Sequence, residues 1–112
     1  MIIIGPPLNT GIGQHAMKYS KLFGTTYYLL GDKLPEVERG LVFMLPVRWH
    51  MEYLTYIRTR VKNLQCMTVC ETQTVHPDYG LLFNEFDKIA VPSNFCKDVF
   101  SAQFPDTQFH VV

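Results

Sequence analysis

Ile2, Ile3 and Ile4 form an unbroken apolar run that Gly5, Pro6 and Pro7 stop. A short, continuous run of β-branched side chains suits a strand buried on both faces, as in a parallel sheet. After the loop, Ile12, Ala16, Tyr19 and Phe23 recur at helical spacing while Gln14, Lys18 and Lys21 take the opposite face. This pattern predicts an amphipathic helix from Gly13 to Phe23 that Gly24 ends. Residues 25–30 and 41–45 are two further apolar or β-forming runs, and the polar connection between them holds Gly31, Pro35 and Gly40. From His50 to Leu64 the apolar positions Leu54, Ile57, Val61 and Leu64 step by three and four, which predicts a second helix. Residues 66–70 read as the next strand. His76-Pro77-Asp78 then opens a third helix, with proline early and an acid near the positive end of the dipole, and with Tyr79, Leu82, Phe83 and Phe86 on its inner face. Residues 88–91 form a strand closed by Pro92, Ser93 is a good N-cap for a helix running to about Phe104, and residues 107–112 read as a last strand.

Strands alternating with helices of this length predict an α/β fold of the Rossmann-like kind. The expected form is a mostly parallel sheet of about six strands, helices on both faces, and right-handed crossovers. Residues 1–112 suffice for one such domain and not for two. With 47% hydrophobic and 13% aromatic residues the chain has the material for a packed core. Ten basic residues balance ten acidic ones without a basic run, so the electrostatic footprint of a nucleic-acid binder is missing. The apolar N-terminus is far short of the ~20 residues of a membrane span, and no transmembrane segment is expected. Three cysteines, an odd count, fit a reducing compartment and hence a cytoplasmic location. Cys66 and Cys70 share one face of the expected strand at even spacing and read as two buried thiols; a zinc site would lack its remaining ligands, and no metal is expected.

Ligands of such sheets sit beyond the carboxyl ends of the strands, which ranks the loops at that edge. The first contains Gly11-Ile12-Gly13-Gln14-His15-Ala16, formally the dinucleotide pattern G-x-G-x-x-A, and Asp32 follows the second strand where a ribose-binding acid would stand. That pattern normally places its first glycine at the end of strand one, whereas here residues 5–10 intervene. No Tyr-x-x-x-Lys follows for a short-chain dehydrogenase either. What survives is a glycine-rich loop, Gly11, Ile12 and Gly13, whose amides and helix N-terminus can receive a phosphate, or a plain loop whose glycines allow tight turning.

Residues 5–16, from Gly5-Pro6-Pro7 through Thr10-Gly11-Ile12-Gly13-Gln14-His15-Ala16, resemble the first loop of family-4 glycosyltransferases. A longer match follows in Val69-Cys70-Glu71-Thr72, Pro77 and Tyr79, the run from Phe83-Asn84-Glu85-Phe86-Asp87-Lys88 through Val91-Pro92-Ser93-Asn94-Phe95, and Asp98-Val99-Phe100. Pro46 and Trp49 are similar to that subgroup too, and Phe109-His110-Val111-Val112 looks like the strand that precedes the linker to a second domain. The resemblance covers nearly the whole chain. It implies the N-terminal, acceptor-side domain of a two-domain GT-B glycosyltransferase. Such an enzyme transfers a sugar from a nucleotide-sugar donor to an acceptor, with retention and without a bound metal or other cofactor. Most donor contacts in the family come from a C-terminal domain that these residues do not include, so a donor domain in the same chain or in a partner is expected.

Resemblance also implies roles. Gly11, Ile12 and Gly13 would face the leaving diphosphate, where amides aimed at developing negative charge stabilise it. Glu71 stands where related enzymes often carry a functional histidine, and would orient or deprotonate the acceptor hydroxyl, or else shape its own loop by accepting backbone amides. His15, Trp49, His50, Thr72, His76 and Ser93 are the acceptor-side candidates. For His15 the other reading is a packed helix residue; for His50 and His76 it is an exposed loop or capping role. Two other functions stay open: a catalytically silent Rossmann-like binding module, and an NAD(P)-binding oxidoreductase domain.

Overall fold

Strand β1 (Ile2–Gly5) is buried on both faces, with Ile3 and Ile4 fully enclosed. The computed structural model, which describes residues 1–70 and 75–112, continues with α1 (Gly11–Phe23), β2 (Thr26–Leu29), β3 (Val37–Phe43), α2 (Arg48–Met51) and α3 (Leu54–Arg60). Then come β4 (Val61–Met67), α4 (Tyr79–Phe83), β5 (Lys88–Val91), α5 (Asn94–Gln103) and β6 (Gln108–Val111). Among the described residues six strands make one sheet in the order β2-β1-β3-β4-β5-β6, and each of their pairings is parallel. The α/β, Rossmann-like arrangement expected from the alternation is the one observed.

Topology explains how both faces are covered. From β1 the chain steps outward to β2, whereas from β3 it steps the other way to β6. Right-handed crossovers in opposite directions put their helices on opposite faces. Strand alternation sorts the core to match. Ile2, Ile4, Val42, Met44, Cys66, Ile89 and Val91 pack with Leu54 and Ile57 of α3, Leu82 and Phe83 of α4 and Phe100 of α5. Ile3, Leu41, Phe43, Met67 and Ala90 pack with Ile12 and Ala16 of α1. On the larger side Phe83 meets Phe100, Phe104 and Phe109 edge to face at 5.1, 5.1 and 5.0 Å, the arrangement ring quadrupoles favour.

Three boundaries differ from the sequence expectation. The second helix breaks into α2 and α3 around Tyr53 and ends at Arg60, and the chain enters β4 at once. Val61 and Leu64, at helical spacing from Ile57, instead pair with Val37 and Gly40 of β3. The ladder begins at Val37, four residues ahead of the apolar run, so pairing with β3 claims residues that periodicity alone assigns to a helix. In consequence β4 ends at Met67 and Cys70 lies beyond it. Residues 77–78 form a turn, with Tyr79 N donating to His76 O at 3.1 Å, so α4 begins only at Tyr79.

Candidate functional site at the carboxyl edge

Because all strands run the same way, every strand-to-helix loop emerges at one edge. β1 leads to a helix on one face and its neighbour β3 to helices on the other, so a crevice opens between their carboxyl ends, where ligands of open α/β sheets bind.

One wall is the loop 6–10 and the start of α1. Thr10 donates to Pro7 O through both its amide, at 3.1 Å, and its hydroxyl, at 2.6 Å. The same hydroxyl oxygen accepts the Gly13 amide at 3.0 Å, making Thr10 the N-cap. Tyr27, on β2, donates its hydroxyl to Pro6 O at 2.6 Å, and burial pushes its pKa up to about 12, so it remains a donor. A Cβ on Gly13 would stand 2.1 Å from Pro7 O and 2.8 Å from Pro6 O, distances no real contact permits. Gly13 is therefore the place where the loop folds back against its own helix. With the Gly13 and Gln14 amides taken by Thr10, the Gly11 and Ile12 amides have no partner among the described residues. These two donors, at the positive end of a 13-residue helix, can receive an anion.

The other wall follows β3. His50 is 2% exposed, and its Nδ1 accepts the Leu45 amide at 3.0 Å. Burial lowers its pKa to about 4, which keeps the ring neutral and able to accept. Its role is to hold the turn after β3. Trp49 stands edge-on to the His50 ring, centroids 4.0 Å apart, and is 46% exposed. Arg48, the first residue of α2, is open to solvent and pairs with Glu52 at 3.4 Å. The loops after β1 and β3 thus carry, at one edge of the sheet, two amides without a partner among the described residues and an exposed indole and guanidinium, groups suited to a ligand with a phosphate and a ring or sugar face.

The remaining candidates are scattered. His15 lies one turn down α1, edge to face with Tyr19 at 5.2 Å and Phe43 at 6.1 Å. Burial, and then Lys18, lower its pKa, and its enclosed Nε2 has no partner among the described residues. His76 is exposed, and its Nδ1 accepts the Asp78 amide at 3.1 Å. Ser93 caps α5 by accepting the Cys96 amide at 3.2 Å, two strands beyond β3 in the sheet. Glu71 and Thr72 lie outside the described residues. Asp32 closes the end of β2, its carboxylate accepting the Leu29 amide at 2.8 Å.

Sequence reasoning missed Thr10, Tyr27 and Arg48. A threonine three residues before a tight glycine is an N-cap signal that could have marked Thr10. Tyr27 acts across 21 residues of chain and leaves no local signal. A groove of about 700 Å3 runs along α1, lined by His15, Lys18, Tyr19, Leu22, Phe23 and Val112 among others. Among the described residues no three or more His, Cys, Asp or Glu side chains are grouped to hold a metal, and no helix is long and apolar enough to cross a membrane.

Comparison with known proteins adds no assignment. No protein-family model, no curated protein and no solved structure matches this chain.

Proposed function

We propose that this chain is the acceptor-side, Rossmann-like half of a two-domain, retaining glycosyltransferase similar to family 4. The observation that carries the proposal is the N-terminus of α1 at the carboxyl edge of β1, with the Gly11 and Ile12 amides lacking a partner among the described residues, and Arg48 and Trp49 exposed at the start of α2 after the neighbouring β3. In this role the two amides and the helix dipole receive the diphosphate as negative charge develops on it, Arg48 adds a cation to the rim, and Trp49 offers a flat apolar face to a sugar. Glu71 orients or deprotonates the acceptor hydroxyl. The nucleotide-sugar is substrate, held mainly by a donor domain in the same chain or in a partner, and the reaction runs in the cytoplasm.

The oxidoreductase reading has less support. Dinucleotide-binding sheets run 3-2-1-4-5-6, whereas here β2 is the edge strand and the order from it is 2-1-3-4-5-6. The Asp32 carboxylate is also already engaged by the Leu29 amide.

The test is a chemical-shift titration of the isotope-labelled chain with a nucleoside diphosphate, and with NAD in parallel. The Gly11 and Ile12 amide resonances should move furthest with the diphosphate. Movement confined to other loops, or a saturating response to NAD alone, would contradict the proposal.

A further inference from the structure

Cys70 lies just beyond the end of β4, and Cys96 lies in the first turn of α5. The sequence pairs Cys66 with Cys70, yet β4 ends at Met67, and Cys70 meets Cys96 instead. The Cys96 thiol donates to the Cys70 backbone oxygen at 3.5 Å, which sets its sulfur directly beside Cys70. Both backbones are held in place. The Cys96 amide is bonded to Ser93 Oγ, and the Tyr79 hydroxyl donates to Val69 O at 3.1 Å, next to Cys70. Cys96 is buried, Cys70 is half-buried and so reachable from solvent, and Cys66 is fully enclosed in the larger core cluster.

We propose that Cys70 and Cys96 are a reversible dithiol that closes to an intrachain disulfide at the carboxyl edge of the sheet, leaving Cys66 as a thiol. The oxidant class that fits is a low-molecular-weight disulfide such as glutathione disulfide. The Cys70 thiol loses its proton to solvent, and its sulfur attacks one sulfur of the reagent, expelling the first thiolate and leaving a mixed disulfide on Cys70. The Cys96 thiol loses its proton in turn, and its sulfur attacks the Cys70 sulfur and expels the second thiolate. Two protein thiols lose two electrons and two protons, and one reagent disulfide becomes two thiols. Closure joins the sulfurs of two residues that already touch, Cys96 Sγ lying 3.5 Å from the Cys70 backbone oxygen, at the ~2.05 Å of the bond. Burial, followed by the contact with Cys96, pushes the Cys70 pKa up to about 12, so its thiolate is scarce at neutral pH and the exchange is slow. Once formed, the bond ties the residue preceding Glu71 to α5. The dithiol does not depend on the sugar-transfer proposal.

The folded chain is incubated with glutathione disulfide, quenched with acid, and analysed by intact mass, thiol titration and peptide mapping. The expected product is a monomer lighter by two hydrogen atoms. It should have one titratable thiol in place of three, a linked peptide pair containing Cys70 and Cys96, and full reversal by dithiothreitol. Cys96→Ser should stop at the glutathione adduct on Cys70, and Cys66→Ser should still close. Three persistent thiols, a wild-type reaction that halts at the adduct, a bridge that includes Cys66, or linkage only between chains would each overturn the proposal.

Discussion

Gly13 lacks a side chain because two carbonyl oxygens of the preceding loop occupy the space a Cβ would need. The sequence suggests another reason, close approach of a phosphate, and the two have different consequences. With Pro7 O at 2.1 Å from the hypothetical Cβ, Gly13→Ala forces the loop off the helix, and we expect a loss of about 1–3 kcal/mol in urea unfolding, comparable to overpacking elsewhere. Gly11 has open space around its missing side chain, so Gly11→Ala should leave the fold within about 0.5 kcal/mol of wild type. An equal loss at both positions would show that the Pro6–Pro7 contact is not what requires glycine. His50 makes a second residue-scale prediction. Its folded pKa of about 4 lies below the ordinary histidine value of 6.5, so the unfolded chain binds the extra proton first as pH falls. The contribution is complete above pH 6.5, declines as pH drops towards 4, and amounts to about 3 kcal/mol over that window. Stability measured from pH 7 to pH 4 should show this slope in wild type and lose it in His50→Asn, whose amide oxygen can still accept the Leu45 amide.

Among the elements, α1 presents the candidate anion-binding amides at its first turn. Its start is set by Thr10, whose hydroxyl both anchors the loop on Pro7 and caps the Gly13 amide. Thr10→Ala should therefore cost about 1 kcal/mol of stability, the usual value of a lost N-cap, and should also free the loop that presents Gly11 and Ile12. A variant with unchanged thermal stability would contradict that assignment. Most elements were legible in the sequence because their signals were local. The isoleucine run of β1, the apolar stripe of α1 with Gly24 behind it, and Ser93 ahead of α5 each depend on neighbours within a few residues. The failures sit where pairing across the sheet decides. Val61 and Leu64 carry helical spacing but lie in the ladder with β3, and that displacement carries Cys70 out of the strand towards Cys96. The candidate site was legible only in part. Its glycine loop and Trp49 could be named from sequence, whereas the structural duty of His50 depends on a backbone amide five residues away that only the folded turn supplies.

At the scale of the whole molecule, an all-parallel sheet with its loops at one edge builds a wall of a site, and a wall holds a diphosphate weakly in open water. On the proposed GT-B reading, transfer needs donor and acceptor brought together between two domains, with closure supplying the orientation. The 112-residue chain alone should therefore fold and yet transfer no sugar. The same residues joined to a donor domain should be active and should lose that activity on Glu71→Gln. The most direct measurement is a nucleotide-sugar and acceptor screen on the short chain and on the joined form, with products detected by mass spectrometry. The predicted result is an acceptor heavier by one glycosyl unit with the joined form only, and abolished by Glu71→Gln. Turnover by the short chain alone, or no transfer by the joined form with any donor, would contradict the account.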